Sequence, residues 1–154
     1  MSAVLLGPFV SVLVAAIALL IQALFLAHGG LTTLGGNIFS MGILGSFSGY
    51  FVFKIAQRCR LPLFWCGFLV GMVSDLFTYL GTSIELGLLV IGKDGSFLKA
   101  TAEIFGVFMM TSQGVLCIVE GIVVGFVLVF VYKRKPSILL HLGVIKDDTK
   151  PVQV

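Results

Sequence analysis

Residues 5–27 read LLGPFVSVLVAAIALLIQALFLA, a stretch of 23 residues without a charged side chain. At about 1.5 Å per residue in a helix, this stretch is long enough to cross a hydrocarbon core of about 30 Å. The whole chain has the same character, because 58% of its 154 residues are hydrophobic, 11% are charged and the mean hydropathy is +1.15. The sequence therefore predicts an integral membrane protein and excludes large water-facing enzyme folds.

Further apolar segments predict an all-α fold, a polytopic membrane helix bundle with about four transmembrane helices. The predicted spans are residues 5–27, 37–53, 63–91 and 113–132. Residues 97–110 together with the last span exceed one membrane thickness, so we assign 97–110 to a short interfacial helix and expect a break near Thr111. The bundle thus takes up residues 1–135, and residues 136–154 form a tail to which we assign no chemistry.

Basic residues predict the orientation of the bundle. With four alternating spans, Lys93 and Lys99 lie on one side of the membrane, and six basic residues lie on the other. These six are Lys54, Arg58, Arg60, Lys133, Arg134 and Lys135. Because Lys and Arg are enriched in cytoplasmic loops, the loop after the second span and the carboxy-terminal tail are predicted to be cytoplasmic. The net charge of +3 is too small and too scattered for a nucleic-acid surface, so the expected surroundings are the lipid bilayer.

Polar residues recur at helical spacing inside the predicted third span. This intramembrane stripe consists of Asp75, Thr78, Thr82 and Glu85, and we expect it to point into the bundle. The last span carries Glu120. A carboxylate at the bilayer centre costs about 2.5–3.5 kcal/mol, so Asp75 and Glu120 need partners, protonation or a water-filled cavity. They are functional candidates; the alternative is that they only hold the bundle together through hydrogen bonds.

Small residues predict how the helices pack. Glycines at i, i+4 spacing let helix backbones approach closely. Three such pairs occur, Gly45 with Gly49, Gly67 with Gly71, and Gly121 with Gly125. The three cysteines lack C-x-x-C spacing and are predicted to be small apolar packing residues. Motifs for nucleotide binding or nucleophilic catalysis are missing from the sequence, which predicts that the protein is not an enzyme.

Several short motifs carry a family resemblance. Residues 28–42 read HGGLTTLGGNIFSMG, with LLGP at 5–8, VEG at 119–121 and YKRKP at 132–136. Over roughly residues 2–138, the sequence resembles the carboxy-terminal part of the cobalt and nickel uptake family called CbiM or NikM.

The resemblance implies a substrate-binding membrane subunit of an energy-coupling factor transporter in the prokaryotic inner membrane. Members of that family work with a transmembrane coupling subunit, ATP-hydrolysing subunits and a small accessory membrane subunit. The implied substrate is Co²⁺ or Ni²⁺, and the uptake is linked to cobalamin biosynthesis. No cofactor is expected on this chain itself.

One departure from the family pattern concerns the metal ligands. Family members begin with a Met-His pair that ligates the metal, whereas this chain begins Met1-Ser2. We therefore expect the amino-terminal metal-binding part, with the first three spans, to be absent, and we assign no metal ligand here. Asn37, Glu120 and His28 are candidates for a supporting role, although a lone loop histidine is more often a surface residue. The alternative function is a structural or assembly membrane subunit that binds no metal itself.

Overall fold

The computed structural model describes residues 1–26, 30–94, 96–135 and Leu139. These residues form six helices and no strand: α1 (Ser2–Leu6), α2 (Pro8–Phe25), α3 (Leu34–Arg58), α4 (Leu63–Asp94), α5 (Phe97–Phe108) and α6 (Gly114–Arg134). Of these, α2, α3, α4 and α6 are long and apolar enough to cross a membrane. The predicted all-α membrane bundle is therefore confirmed.

The first predicted span is divided in the structure. Gly7 separates α1 from α2 with φ 82° and ψ 167°, and Pro8 opens α2. Residues with a Cβ are essentially excluded from this backbone region, and proline at the first helical position loses no hydrogen bond. The long helix therefore begins at Pro8 and not at Leu5, which belongs to α1. Ala27, the predicted end of this span, lies outside the described residues.

Helix α3 is longer than the predicted segment 37–53. It begins at Leu34, passes through a π-helical stretch at Ile38–Leu44 and continues to Arg58. The predicted segment stops before Lys54, the first charged residue after the apolar stretch. In the structure, the Lys54 ammonium lies 5.4 Å from the centre of the Tyr50 ring. A long basic side chain near a helix end reaches the interface without ending the helix.

Helices α5 and α6 are joined without a loop. A π-helical stretch, Met109–Gln113, connects them, whereas a break near Thr111 was predicted. The Thr111 hydroxyl donates to the Val107 carbonyl at 2.9 Å, so it stays attached to the preceding turn. The backbone widens here and remains helical. An interfacial position for residues 97–110 stays a prediction.

Helix α4 is the centre of the bundle and packs against α3, α5 and α6. An apolar cluster joins the end of α3, the start of α4 and the end of α6. Its buried members include Phe53, Ala56, Leu63 and Leu128. The six basic residues counted above lie in or just after the last turns of α3 and α6, so they lie at this same end of the bundle.

Glycines bring α4 and α6 into backbone contact. A Cβ placed on Gly71 would lie 2.8 Å from the Cα of Gly121, and one on Gly67 would lie 2.8 Å from the Cα of Gly125. No side chain fits at that distance, so these positions require glycine. The glycine pairs of α4 and α6 thus face each other within this chain.

Candidate functional site

The polar stripe of α4 contains two kinds of residue. The threonine hydroxyls form hydrogen bonds within α4, whereas the two carboxylates meet other helices. The Thr78 hydroxyl donates to the Ser74 carbonyl at 3.0 Å, and the Thr82 hydroxyl donates to the Thr78 carbonyl at 3.1 Å. Because both bonds stay within α4, the two threonines need no other helix. Asp75 and Glu85 are the members of the stripe whose surroundings can bear on function.

Asp75 is buried at the contact between α4 and α6. The Cys117 thiol of α6 lies 2.8 Å from Oδ2 of Asp75 and donates to it. Cys117 is therefore a hydrogen-bond donor, and reading it as only an apolar packing residue was wrong. The same interpretation is wrong for Cys59, which is exposed at the end of α3, whereas Cys66 is buried. A thiol inside the bundle thus partners one of the two intramembrane acids.

Glu120 follows Cys117 by about one turn of α6 and, unlike Cys117, is exposed. It is exposed on the surface of α6, and no described residue forms a hydrogen bond or ion pair with its carboxylate. Within the described ranges the one ion pair joins Lys99 and Glu103 of α5, with both side chains exposed. Glu120 is therefore not hydrogen-bonded to the Asp75–Cys117 pair, although Asp75 and the Met1 amino group are both near enough to act on its carboxylate electrostatically.

Glu85 lies at the opposite end of α4 from the basic cluster and meets the start of α3. A Cβ placed on Gly36 would lie 2.6 Å from Oε2 of Glu85, so a side chain at Gly36 would displace this carboxylate. Oε1 of Glu85 is buried without a hydrogen-bond partner among the described residues. Asn37, half-buried, follows Gly36 directly. Asn37 and Glu85 are thus placed at one junction, which we call the α3–α4 junction.

The α3–α4 junction and the Asp75 site are separate places. Asp75 and Glu85 are ten positions apart on α4, or about 15 Å along a helix. His28 precedes the junction in sequence but lies outside the described residues. In the part of the chain that the structure describes, no three or more His, Cys, Asp or Glu side chains come together closely enough to hold a metal ion.

Serines from four helices come together in the structure, which the sequence did not predict. The hydroxyls of Ser2 and Ser11 lie 2.6 Å apart, and those of Ser11 and Ser46 lie 2.9 Å apart. The Ser74 hydroxyl donates to the Gly45 carbonyl at 2.7 Å. These residues border a cavity of about 170 Å³ between α1, α2, α3 and α4. Serines within apolar helices were a visible sign of a polar contact. The four serines belong to four different helices, however, and periodicity within one helix cannot show which helices are neighbours.

Comparison with known proteins assigns the family. Residues 1–138 match CbiM, described as the cobalt uptake substrate-specific transmembrane region. The chain belongs to the CbiM family. It is 46% identical over 146 residues to Cobalt transport protein CbiM of Sorangium cellulosum, covering 95% of this chain and 64% of that protein. It is 41% identical over 145 residues to Putative cobalt transport protein CbiM 1 of Methanosphaerula palustris, covering 94% and 62%.

A third CbiM relative, from Geobacter sulfurreducens, is 42% identical over 144 residues, which are 94% of this chain and 41% of that protein. The chain thus spans less than two thirds of the length of each of these relatives. The resemblance seen in the sequence is confirmed, and the chain is a multi-pass membrane member of this family.

Proposed function

We propose that this chain is the membrane substrate-specificity component of an ATP-driven cobalt importer. The family match over residues 1–138 carries the proposal, and the relatives are named as cobalt transport proteins. On this proposal the chain is not an enzyme: ATP is hydrolysed by separate subunits, which act through a transmembrane coupling subunit together with a small accessory membrane subunit. The complex resides in the prokaryotic inner membrane and supplies cobalt for cobalamin biosynthesis. Nickel is the alternative substrate.

The close contact between α4 and α6 and the α3–α4 junction support this proposal. Glycine contacts fix α4 against α6, and α4 carries the Glu85 carboxylate to the beginning of α3. A carboxylate oxygen and the Asn37 amide oxygen are both suited to a divalent cation or to its bound water. Oε1 of Glu85 has no protein partner among the described residues, so it can bind the cation or accept a hydrogen bond from the cation's bound water. We place the supporting role for the cation at this junction.

Cobalt accumulation in cells tests the proposed function. The chain is expressed with the coupling, ATP-hydrolysing and accessory subunits, and with the part of the Sorangium protein that lies outside its match to this chain. Radioactive cobalt retained by these cells is compared with that in cells lacking only this chain. Accumulation that requires the chain supports the proposal, and equal accumulation in both cultures rejects it.

Variants test the role of the α3–α4 junction. Asn37→Ala and Glu85→Gln should each lower cobalt accumulation several-fold at unchanged abundance in the membrane. Gly106→Ala is the matched control, because a Cβ at Gly106 meets nothing within 4 Å. Glu120→Ala is compared in the same assay, since Glu120 is another of the candidates for a supporting role. Unchanged accumulation removes the residue in question from the transport mechanism.

The exposed Glu120 surface of α6 favours one alternative, a structural or assembly subunit that packs against other membrane chains without binding metal. Purification separates the two functions. If the chain copurifies with the coupling subunit and cobalt accumulation does not depend on it, the structural role is supported. If accumulation requires the chain, the transport role is supported.

A further inference from the structure

The surface of α6 around Glu120 is uncovered in the structure. One side of α6 packs on α4 through Cys117, Gly121 and Gly125, and Leu128 is buried further along the helix. Next to it lies a side that we call the Glu120 face, formed by Glu120 and three apolar neighbours at helical spacing. The exposed fractions of these neighbours are 40% for Leu116, 47% for Val119 and 53% for Val123.

Lipid is an unfavourable cover for this face. Glu120 is the seventh residue of Gly114–Arg134, a helix long and apolar enough to span a membrane. Acidic residues inside membrane spans almost always face protein or a water-filled cavity. The Glu120 face is therefore expected to contact another membrane segment.

A second copy of this chain is also unfavourable. Pairing of two identical faces around a twofold axis would bring two Glu120 carboxylates together in a medium of low dielectric constant. Like charges in such a contact repel each other. A covering segment with a hydrogen-bond donor beside Glu120 would supply the bond that no described residue makes, the Met1 amino group acting on this carboxylate only at longer range.

The relatives of this chain extend beyond the matched region by more residues than one spanning helix needs. The chain spans 64% of the Sorangium protein and 62% of the Methanosphaerula protein. The remaining third exceeds the roughly 20 residues that one spanning helix needs. We propose that the Glu120 face is the contact surface for a transmembrane helix from that remaining part of a CbiM protein, and that this helix supplies a hydrogen-bond donor to the Glu120 carboxylate. The proposal rests on the function proposed above, because it names a contact of that transporter component.

Photo-crosslinking tests the contact. A benzophenone amino acid replaces Val123 on the Glu120 face or, as a matched control, Leu13, which is 61% exposed on α2. Each variant is expressed with the epitope-tagged remaining part of the Sorangium protein, and the adducts are identified by mass and tag. We expect a tagged adduct from position 123 several-fold stronger than from position 13.

Other adducts contradict the proposal. An adduct of twice 16.5 kDa would show pairing of two copies of this chain. Adducts only with the coupling subunit, equal tagged adducts from both positions, or no protein adduct from position 123 would each overturn the assigned partner.

Variants of Glu120 test the donor. Glu120→Gln keeps an acceptor oxygen and should keep most of the tagged adduct. Glu120→Leu removes it and should lower the adduct about threefold to fifteenfold, the range expected for one hydrogen bond between membrane helices. Leucine inserts into membranes at least as well as glutamate, so abundance should not fall. Equal amounts of tagged adduct from Glu120→Gln and Glu120→Leu would reject the proposed hydrogen bond to Glu120.

The adduct is measured independently of cobalt. Loss of accumulation with an intact adduct would reject the transport function alone. Accumulation without the adduct would reject the contact surface alone.

Discussion

Asp75 is a buried acid whose described hydrogen-bond partner is a thiol. The contact between Cys117 and Oδ2 of Asp75 spans 2.8 Å between α6 and α4. Removing the donor leaves a buried carboxylate unsatisfied, which costs about 1–3 kcal/mol. Cys117→Ala should therefore lower the free energy of unfolding by about that amount, whereas Cys117→Ser, which keeps a donor, should lower it less. Unfolding of the purified protein in detergent, followed by circular dichroism, measures both.

The exposed Cys59 supplies the control for this prediction. Cys59→Ala should leave the unfolding transition unchanged. If Cys117→Ala is as stable as the unsubstituted protein, the thiol does not stabilise Asp75.

Glycine at the contact between α4 and α6 gives a second prediction for single residues. A Cβ at Gly71 would lie 2.8 Å from the Cα of Gly121, so Gly71→Ala must push two backbones apart. Overpacking of this kind costs about 1–3 kcal/mol. We expect a lower unfolding temperature for Gly71→Ala.

Gly106→Ala is the comparison for Gly71→Ala. Nothing lies within 4 Å of a Cβ at Gly106, and alanine favours a helix over glycine by up to about 1 kcal/mol. Its unfolding temperature should stay equal or rise. The same loss of stability in both variants would show that general helix effects, and not the contact with Gly121, set the outcome.

Sequence periodicity finds residues on a shared helix face but not what covers that face. The spacing of Asp75 and Thr78 predicts an inward stripe, and both are buried. The same reasoning for Glu120 gives no covering partner, because the described helices leave its face open. The thiol partner of Asp75 was missed, because pairing across helices depends on which helices are neighbours, and one sequence does not contain that information.

At the scale of elements, Gly7 sets the boundary between α1 and α2. Its φ of 82° and ψ of 167° lie where other residues cost about 1–3 kcal/mol. Gly7→Ala should therefore lower the unfolding temperature and loosen the contact between Ser2 and Ser11 that crosses this boundary. A disulfide between cysteines placed at positions 2 and 11, in a Cys59→Ser background, reports this contact and should form more slowly in the Gly7→Ala protein.

Gly35→Ala is the matched control for Gly7. It has an ordinary helical backbone and no neighbour within 4 Å of a Cβ. It should change neither the unfolding temperature nor the rate of disulfide formation. An equal rate in the Gly7→Ala protein would mean that α1 holds its place without this bend.

Helix positions were easier to predict than helix ends. Apolar length alone indicates four spans, because each must cross the same hydrocarbon core. The ends depend on local backbone features that average hydropathy does not report. The first span begins later than predicted because of Gly7, and the second span continues past Lys54. Before the last span, the helix passes through the π-helical stretch Met109–Gln113, where a break was predicted.

At the scale of the whole molecule, the fold brings six of the ten basic residues to one end. The apolar cluster that joins Phe53, Leu63 and Leu128 holds the end of α3 beside the end of α6. Positively charged ends tend to remain in the cytoplasm, so we predict that this end, with the carboxy-terminus, is cytoplasmic. Cys59 lies at this end and is exposed, whereas Cys66 and Cys117 are buried.

The native Cys59 tests this orientation without a reporter fusion. A membrane-impermeant maleimide should label inside-out vesicles strongly and intact spheroplasts weakly, because only the inside-out vesicles present the cytoplasmic surface to the reagent. Cys59→Ser should abolish the labelling in vesicles and thereby show that the two buried thiols do not contribute. Strong labelling of intact spheroplasts, lost in Cys59→Ser, would invert the topology and place the basic end of the bundle outside the cytoplasm.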